Sequence, residues 1–176
     1  VISTNVESAE PEQVHLATNG ISGEMVVQWG TEEDTTAFCD SDNTVEYGTG
    51  QDSLNFSEEG DDDMYLWTTC THTTILSGLT SNTTYYYRVG GGGEWSDVFS
   101  FNTLEENPES IQIGAIADHG TSSNAQETTS NMVPVDFDLV IHAGDISYAN
   151  GAGSGNGIGD QSVWDEYQNQ IEMIAS

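Results

Sequence analysis

The sequence predicts a chain that is mainly β with an α/β tail: an antiparallel β-sandwich over residues 11–104, then an incomplete β-α-β-α unit over residues 111–176. Three observations predict this. Residues 11–104 hold seven short runs of period-two alternation separated by turn residues, the pattern of a sandwich. Glu105-Glu106-Asn107-Pro108-Glu109 breaks that pattern and reads as a linker over residues 105–110. Beyond it, residues 111–117 are apolar on both faces, as in a covered parallel sheet, and a second strand follows at residues 138–143.

Each element has its own signal. Residues 1–10 are polar and form an N-terminal arm, a frayed end or a segment that pairs elsewhere. Val14 and Leu16 alternate in the first strand, and Met25, Val27 and Trp29 in the second. Thr44-Val45-Glu46-Tyr47 is the third, closed by Gly48-Thr49-Gly50. Met64-Tyr65-Leu66-Trp67 is a weak fourth, and residues 71–76 are the fifth. Tyr85, Tyr87 and Val89 alternate in the sixth, which runs into Gly90 to Gly93, and Val98, Phe99 and Phe101 mark the seventh. In the second part, Ser123-Asn124-Ala125-Gln126 offers a capping box for a helix to about Met132, ended by Pro134. A Gly-rich loop spans residues 150–159, and from Gln161 the residues Val163, Trp164, Tyr167, Ile171 and Ile174 share one helical face. The order β-α-β-α makes a right-handed crossover unit. By itself it leaves a sheet edge and a helix face uncovered.

Composition narrows the function. One Arg (Arg88), no Lys and 30 acidic residues give a net charge of -29. Such a chain repels nucleic acid, whose binding depends on Lys and Arg displacing counterions. It has no apolar run long enough to span a membrane. Two sequons, Asn55-Phe56-Ser57 and Asn82-Thr83-Thr84, mark Asn55 and Asn82 as glycan acceptors of a secreted, extracellular protein. In that setting Cys39 and Cys70 are expected to form a disulfide, with two reduced buried thiols as the alternative. The start at Val1, without a leader, fits a processed product. Glu32-Glu33-Asp34 and Glu58-Glu59-Gly60-Asp61-Asp62-Asp63 read as solvated loops without the spacing of an EF-hand.

The chemistry concentrates where the two apolar strands end, in Asp118-His119-Gly120 and in Gly144-Asp145-Ile146-Ser147-Tyr148. Neighbouring strands lie about 4.8 Å apart, so carboxylates at their ends converge on one cation. The carboxyl end of a parallel sheet is also where α/β proteins bind ligands. A phenol with a pKa near 10 becomes a ligand only to a strong Lewis acid such as ferric iron. Asp118, Asp145 and Tyr148 are therefore the candidate metal ligands, and no catalytic residue is assigned. His142 reads as a hydrogen-bonded His inside a buried strand, and His119 as a polar turn residue. His15 and His72 belong to the sandwich.

Two resemblances sharpen the reading. Leu79-Thr80-Ser81-Asn82-Thr83-Thr84-Tyr85 resembles the tyrosine corner of fibronectin type III domains, and Trp29 suits their core tryptophan. Ala117-Asp118-His119-Gly120 and Gly144-Asp145-Ile146-Ser147-Tyr148 resemble the first two motifs of the purple acid phosphatases, within the calcineurin-like metallophosphoesterases. Ala117 stands where the family has Gly. Residues 163–167 and 171–176 resemble the helix that leads toward the third motif.

That resemblance implies a fibronectin-like sandwich ahead of a di-metal centre that cleaves phosphate monoesters. Asp118 and Tyr148 would bind Fe3+, and Asp145 would bridge to a second divalent metal (Zn, Mn or Fe). The later motifs of the family, Gly-Asn-His and Gly-His-x-His, do not occur in these residues. The chain alone is thus expected to be inactive, and its partner to be the remainder of the catalytic domain. The alternative is a non-catalytic extracellular structural or adhesive module whose partner is a neighbouring copy, in a homo-oligomer or filament.

Overall fold

The structure, a computed structural model, describes residues 10–32, 39, 43–65, 69–150, 159–160 and 162–176. The chain divides into two compact units, Val1–Glu106 and Asn107–Ser176. The arm at residues 1–9, most of the glycine-rich loop, and Glu33, Asp34, Leu66, Trp67 and Gln161 lie outside the described residues.

The first unit holds β1 (Glu12–Ala17), β2 (Met25–Glu32), β3 (Thr44–Gly48), β4 (Phe56–Glu59), β5 (Asp61–Tyr65), β6 (Thr69–Leu76), β7 (Thr84–Gly91), β8 (Glu94–Trp95) and β9 (Phe99–Asn102). One sheet has the order β1-β2-β6-β5; the other has β4-β3-β7-β8, with β9 also paired to β7. All pairings are antiparallel. Alternate residues of both sheets face one core. Val27 and Trp29 of β2 and Leu76 of β6 meet Val45 and Tyr47 of β3 and Tyr85, Tyr87 and Val89 of β7. The unit is a β-sandwich, as the period-two runs foretell.

The tyrosine corner forms: the hydroxyl of Tyr85 accepts a hydrogen bond of 3.0 Å from the backbone N–H of Thr80. Cys39 and Cys70 are joined in a disulfide. With 31 residues of sequence separation, chain-entropy arguments put its contribution at about 3–4 kcal/mol.

Among the described residues nine strands stand where seven runs were expected: the short β8 is one addition, and the acidic run supplies β4 and moves the expected fourth strand back to β5. Glu58-Glu59 and Asp61-Asp62-Asp63 are not loops. They lie in β4 and β5, the edge strands of the two sheets, and Gly60 carries the chain between them. Asn43 anchors that crossing: its carbonyl accepts from Gly60 N–H (2.9 Å) and its side-chain amide donates to Gly60 O (2.7 Å). An acidic segment has low strand propensity, but pairing to β3 and β6 overrides it.

In the second unit, β10 (Ile113–Ala117), α1 (Ser123–Met132), β11 (Leu139–Ala143) and α2 (Ser162–Ala175) follow in order. β10 and β11 pair in parallel from Ile113 opposite Leu139 to Ala117 opposite Ala143. The strands are not covered on both faces. Gly114 approaches Met132 at the end of α1, and His142 meets Tyr167 of α2, so both helices lie on one face. Ile113 and Ile141, on the other face, are 49% and 47% exposed.

The α1 cap is also shifted by one residue. Ser122 is the N-cap and accepts from Ala125 N–H, so Ala125 occupies the position a capping box needs for Glu or Gln. Gln126 instead donates to the Thr121 carbonyl (3.3 Å).

His72 is 1% exposed, stacks on Trp29 and bonds Thr31 through Nε2 (2.9 Å). Burial lowers its pKa below the ordinary 6.5, opposed in part by Asp62. The fold holds it neutral and unfolding lets it take a proton, so its contribution is intact above pH 6.5 and is lost as pH falls toward the folded value. Urea unfolding across this range should show stability falling faster with acid in the wild type than in His72→Phe. Parallel slopes would refute it, since carboxylate discharge acts on both proteins.

Candidate metal centre

The two turns are built together. Beyond β10, Asp118 N–H donates to Ala143 O (3.1 Å), His119 N–H to Asp145 O (3.1 Å) and Gly120 N–H to Ile146 O (2.8 Å). These bonds zip the Asp118 turn against the Asp145 turn. The carboxylate of Asp118 turns inward to the junction, where Oδ1 accepts from Asp145 N–H at 3.0 Å. Gly144 makes this possible: it has φ 75°, and a Cβ there would sit 2.5 Å from Asp118 Oδ1. The ring of Tyr148 lies over Gly120, where a Cβ would meet its Cδ2 at 3.0 Å.

Asp118 and Tyr148 both adopt positive φ, 47° and 60°. Non-glycine residues enter this region at a cost of order 1 kcal/mol and cluster where function demands it. Tyr148 is 41% exposed. Desolvation, then the negative charges of Asp118 and Asp145, push its phenol above the ordinary value. The three residues thus lie on adjoining turns beyond the carboxyl ends of the parallel pair, and both carboxylates act on the Tyr148 phenol. No Lys exists to neutralise them, and the sole Arg, Arg88, is bonded to Glu46 in the sandwich. Among the described residues no group of three or more His, Cys, Asp and Glu is placed to hold a metal. The candidate set is two carboxylates and a phenol.

Beneath the turns lies a polar layer that sequence reasoning missed. His119 lies in the turn as expected and is half-buried: Nε2 bonds Thr129 Oγ1 at 2.8 Å, and its ring meets those of His142 and Tyr167 edge-on. Burial, then His142, lowers its pKa. His142 is half-buried, with Nδ1 at 2.6 Å from Tyr167 Oη and Nε2 at 3.2 Å from Asp145 O. Gln170, buried, donates to Gly120 O (3.3 Å). The available signal was the spacing of Tyr167 and Gln170, three apart on the buried stripe of an amphipathic helix. The acceptor side chains of Asn55 and Asn82 lie on exposed residues of the sandwich.

The chain thus joins a β-sandwich to a parallel strand pair that ends in carboxylate-bearing turns. Residues 11–103 match the family described as purple acid phosphatase, N-terminal domain. The chain is 27% identical to acid phosphatase type 7 of Danio rerio, over 95% of this chain and 37% of that protein. It is 28% identical to purple acid phosphatase 22 of Arabidopsis thaliana, over 96% of this chain and 36% of the relative. A purple acid phosphatase from seeds of yellow lupin (Lupinus luteus) shares the fold with a TM-score of 0.77 at 24% identity, over 95% of this chain and 34% of its own. The chain therefore belongs to the purple acid phosphatases and corresponds to their N-terminal portion. It spans just over a third of the length of the two relatives named.

Gly144→Ala should be the most damaging single-methyl change in the second unit. The added carbon meets a carboxylate oxygen, and positive φ alone costs an alanine about 1–2 kcal/mol. Hydrogen exchange should show lost protection at the amides of Asp145 and His119, and unchanged protection there would refute the close approach.

Proposed function

We propose that the chain supplies the ferric side of a di-metal centre in a secreted phosphatase that acts on phosphate monoesters. The observation that supports this reading is the bonding of the Asp118 turn to the turn that carries Asp145 and Tyr148, at the carboxyl ends of β10 and β11. An all-oxygen donor set suits a hard cation. Tyr148, with its proton held more tightly than usual, yields a phenolate only to a strong Lewis acid such as Fe3+. Asp118 would bind that ion. Asp145, on the adjoining turn, would help to hold both that ion and a divalent Zn, Mn or Fe. Bound metals would supply Lewis-acid polarisation of the phosphoryl group.

This chain's own residues hold and orient the centre. Asp118 and Asp145 bring negative charge, the zipped turns fix their spacing, and the polar layer supports them from behind. A net charge of -29 repels an anionic ester, and cations at these turns invert that local field. The exposed face of β10 and β11 would be covered by the rest of the catalytic domain, which would also bring the remaining ligands. The family relationship, to proteins of which this chain spans 36–37%, supports that partner. Turnover by residues 1–176 alone is not expected.

Ferric iron added to the apoprotein should raise a visible tyrosinate-to-iron band and release a proton. Tyr148→Phe should abolish the band. Asp118→Asn should weaken iron binding by more than about 100-fold, beyond the 10–100-fold typical of an outer partner. A band that survives Tyr148→Phe would refute the assignment.

Secretion is supported by the disulfide and by the exposed sequons, and no helix among the described residues is long and apolar enough to cross a membrane. Protein from a eukaryotic secretory host should lose mass on enzymatic glycan removal. Asn55→Gln and Asn82→Gln should each remove one glycan, and unchanged mass in both would count against secretion.

A further inference from the structure

The polar layer has a directional logic that assigns a role to Tyr167. A carbonyl oxygen only accepts hydrogen bonds, so His142 must donate to Asp145 O from Nε2–H. In a neutral imidazole Nδ1 is then bare and accepts. The atom 2.6 Å away is the hydroxyl of Tyr167, which therefore donates. Burial pushes the Tyr167 phenol above its ordinary value and keeps that proton in place. Tyr167 is 4% exposed, on the inner face of α2.

The Asp145 peptide is gripped at both of its polar groups. Its N–H donates to Asp118 Oδ1, and its carbonyl accepts from His119 N–H and from His142. The first two bonds come from the Asp118 turn. They fix the two turns to each other but not to the rest of the unit. The bond through His142 ties the pair to α2. Gln170, one helical turn further along the same stripe, ties the Asp118 side through Gly120 O.

We propose that Tyr167 is a positioning residue for the metal centre: its hydroxyl locks His142 in the tautomer whose Nε2–H holds the Asp145 carbonyl, and so fixes the turn that presents Asp145. The proposal rests on the reading of Asp118, Asp145 and Tyr148 as metal ligands. It predicts that deleting one buried oxygen, which touches no ligand, changes both an imidazole tautomer and the affinity for iron. A hydroxyl that served packing alone would alter only the unfolding temperature. Outer partners that orient a centre typically change metal affinity by 10–100-fold.

The test compares wild type, Tyr167→Phe, Tyr148→Phe and, as a control on the exposed side of α2, Glu166→Gln, all in the complete protein. Long-range 1H–15N NMR of the apoprotein reads the His142 tautomer, and titration with ferric iron alone reads affinity. The expected result is Nε2–H in wild type and a tautomer mixture in Tyr167→Phe. Iron affinity in that variant should be about 10–100-fold weaker, with the visible band still reached at saturation and Glu166→Gln unchanged. Nδ1–H in the wild type overturns the proposal whether or not Tyr167→Phe folds. Unchanged iron affinity in Tyr167→Phe, with the band lost in Tyr148→Phe, overturns the positioning role and leaves the metal reading standing. Iron binding indifferent to Tyr148→Phe overturns the metal reading and the positioning role with it.

Discussion

A single hydrogen bond organises the second unit: the N–H of Asp145 reaching the carboxylate of Asp118 across 3.0 Å. It joins the ends of two parallel strands that are otherwise distant in sequence, and it exists because residue 144 has no side chain. Everything proposed for the centre inherits its geometry. The positive φ of Asp118 is the conformational cost of turning its carboxylate toward that N–H. Tyr148 then closes the cluster from the far end of the second turn, seated on Gly120.

Charge is the second constraint. A chain of net charge -29 must spread its carboxylates or lose stability to self-repulsion. The sandwich does so by putting two dense acidic segments on its outermost strands, β4 and β5. There they face solvent, where screening acts within about 8 Å. Charged edges also discourage pairing with another chain. The lone cation is held by two bonds to one Glu46 oxygen and by the ring of Trp95, 4.4 Å from the guanidinium carbon. Arg88 therefore leaves the carboxylates of the second unit without a Lys or Arg partner.

How much was legible follows the range of each interaction. The core of the sandwich was readable at Trp29, Val45, Tyr87 and Val89, because alternation along a strand is written in adjacent residues. The tyrosine corner was readable because its donor and acceptor lie five residues apart. The acidic edge strands were not, because their pairing is supplied by β3 and β6 from elsewhere in the chain. The capping box failed by one residue, since Ser122 and Ser123 offer the same hydroxyl and only the helix start decides between them. The covered sheet failed for a different reason. Apolar residues on both faces record what each strand is suited to bury, whereas the exposure of Ile113 and Ile141 depends on what else packs there.

The sequence by itself determined the two-part architecture, most of the core strands and the residue types that could hold a cation at Asp118, Asp145 and Tyr148. Those are local properties: periodicity, turn chemistry and the ends of apolar runs. Only the tertiary structure decided that the Asp118 and Asp145 turns are bonded to each other, that Gly144 lets the Asp118 carboxylate reach the Asp145 N–H, and that Thr129, His142, Tyr167 and Gln170 pack against these turns. Such contacts join residues 25 or more positions apart in most cases. Direction and distance across that separation are set by packing, which no short pattern encodes.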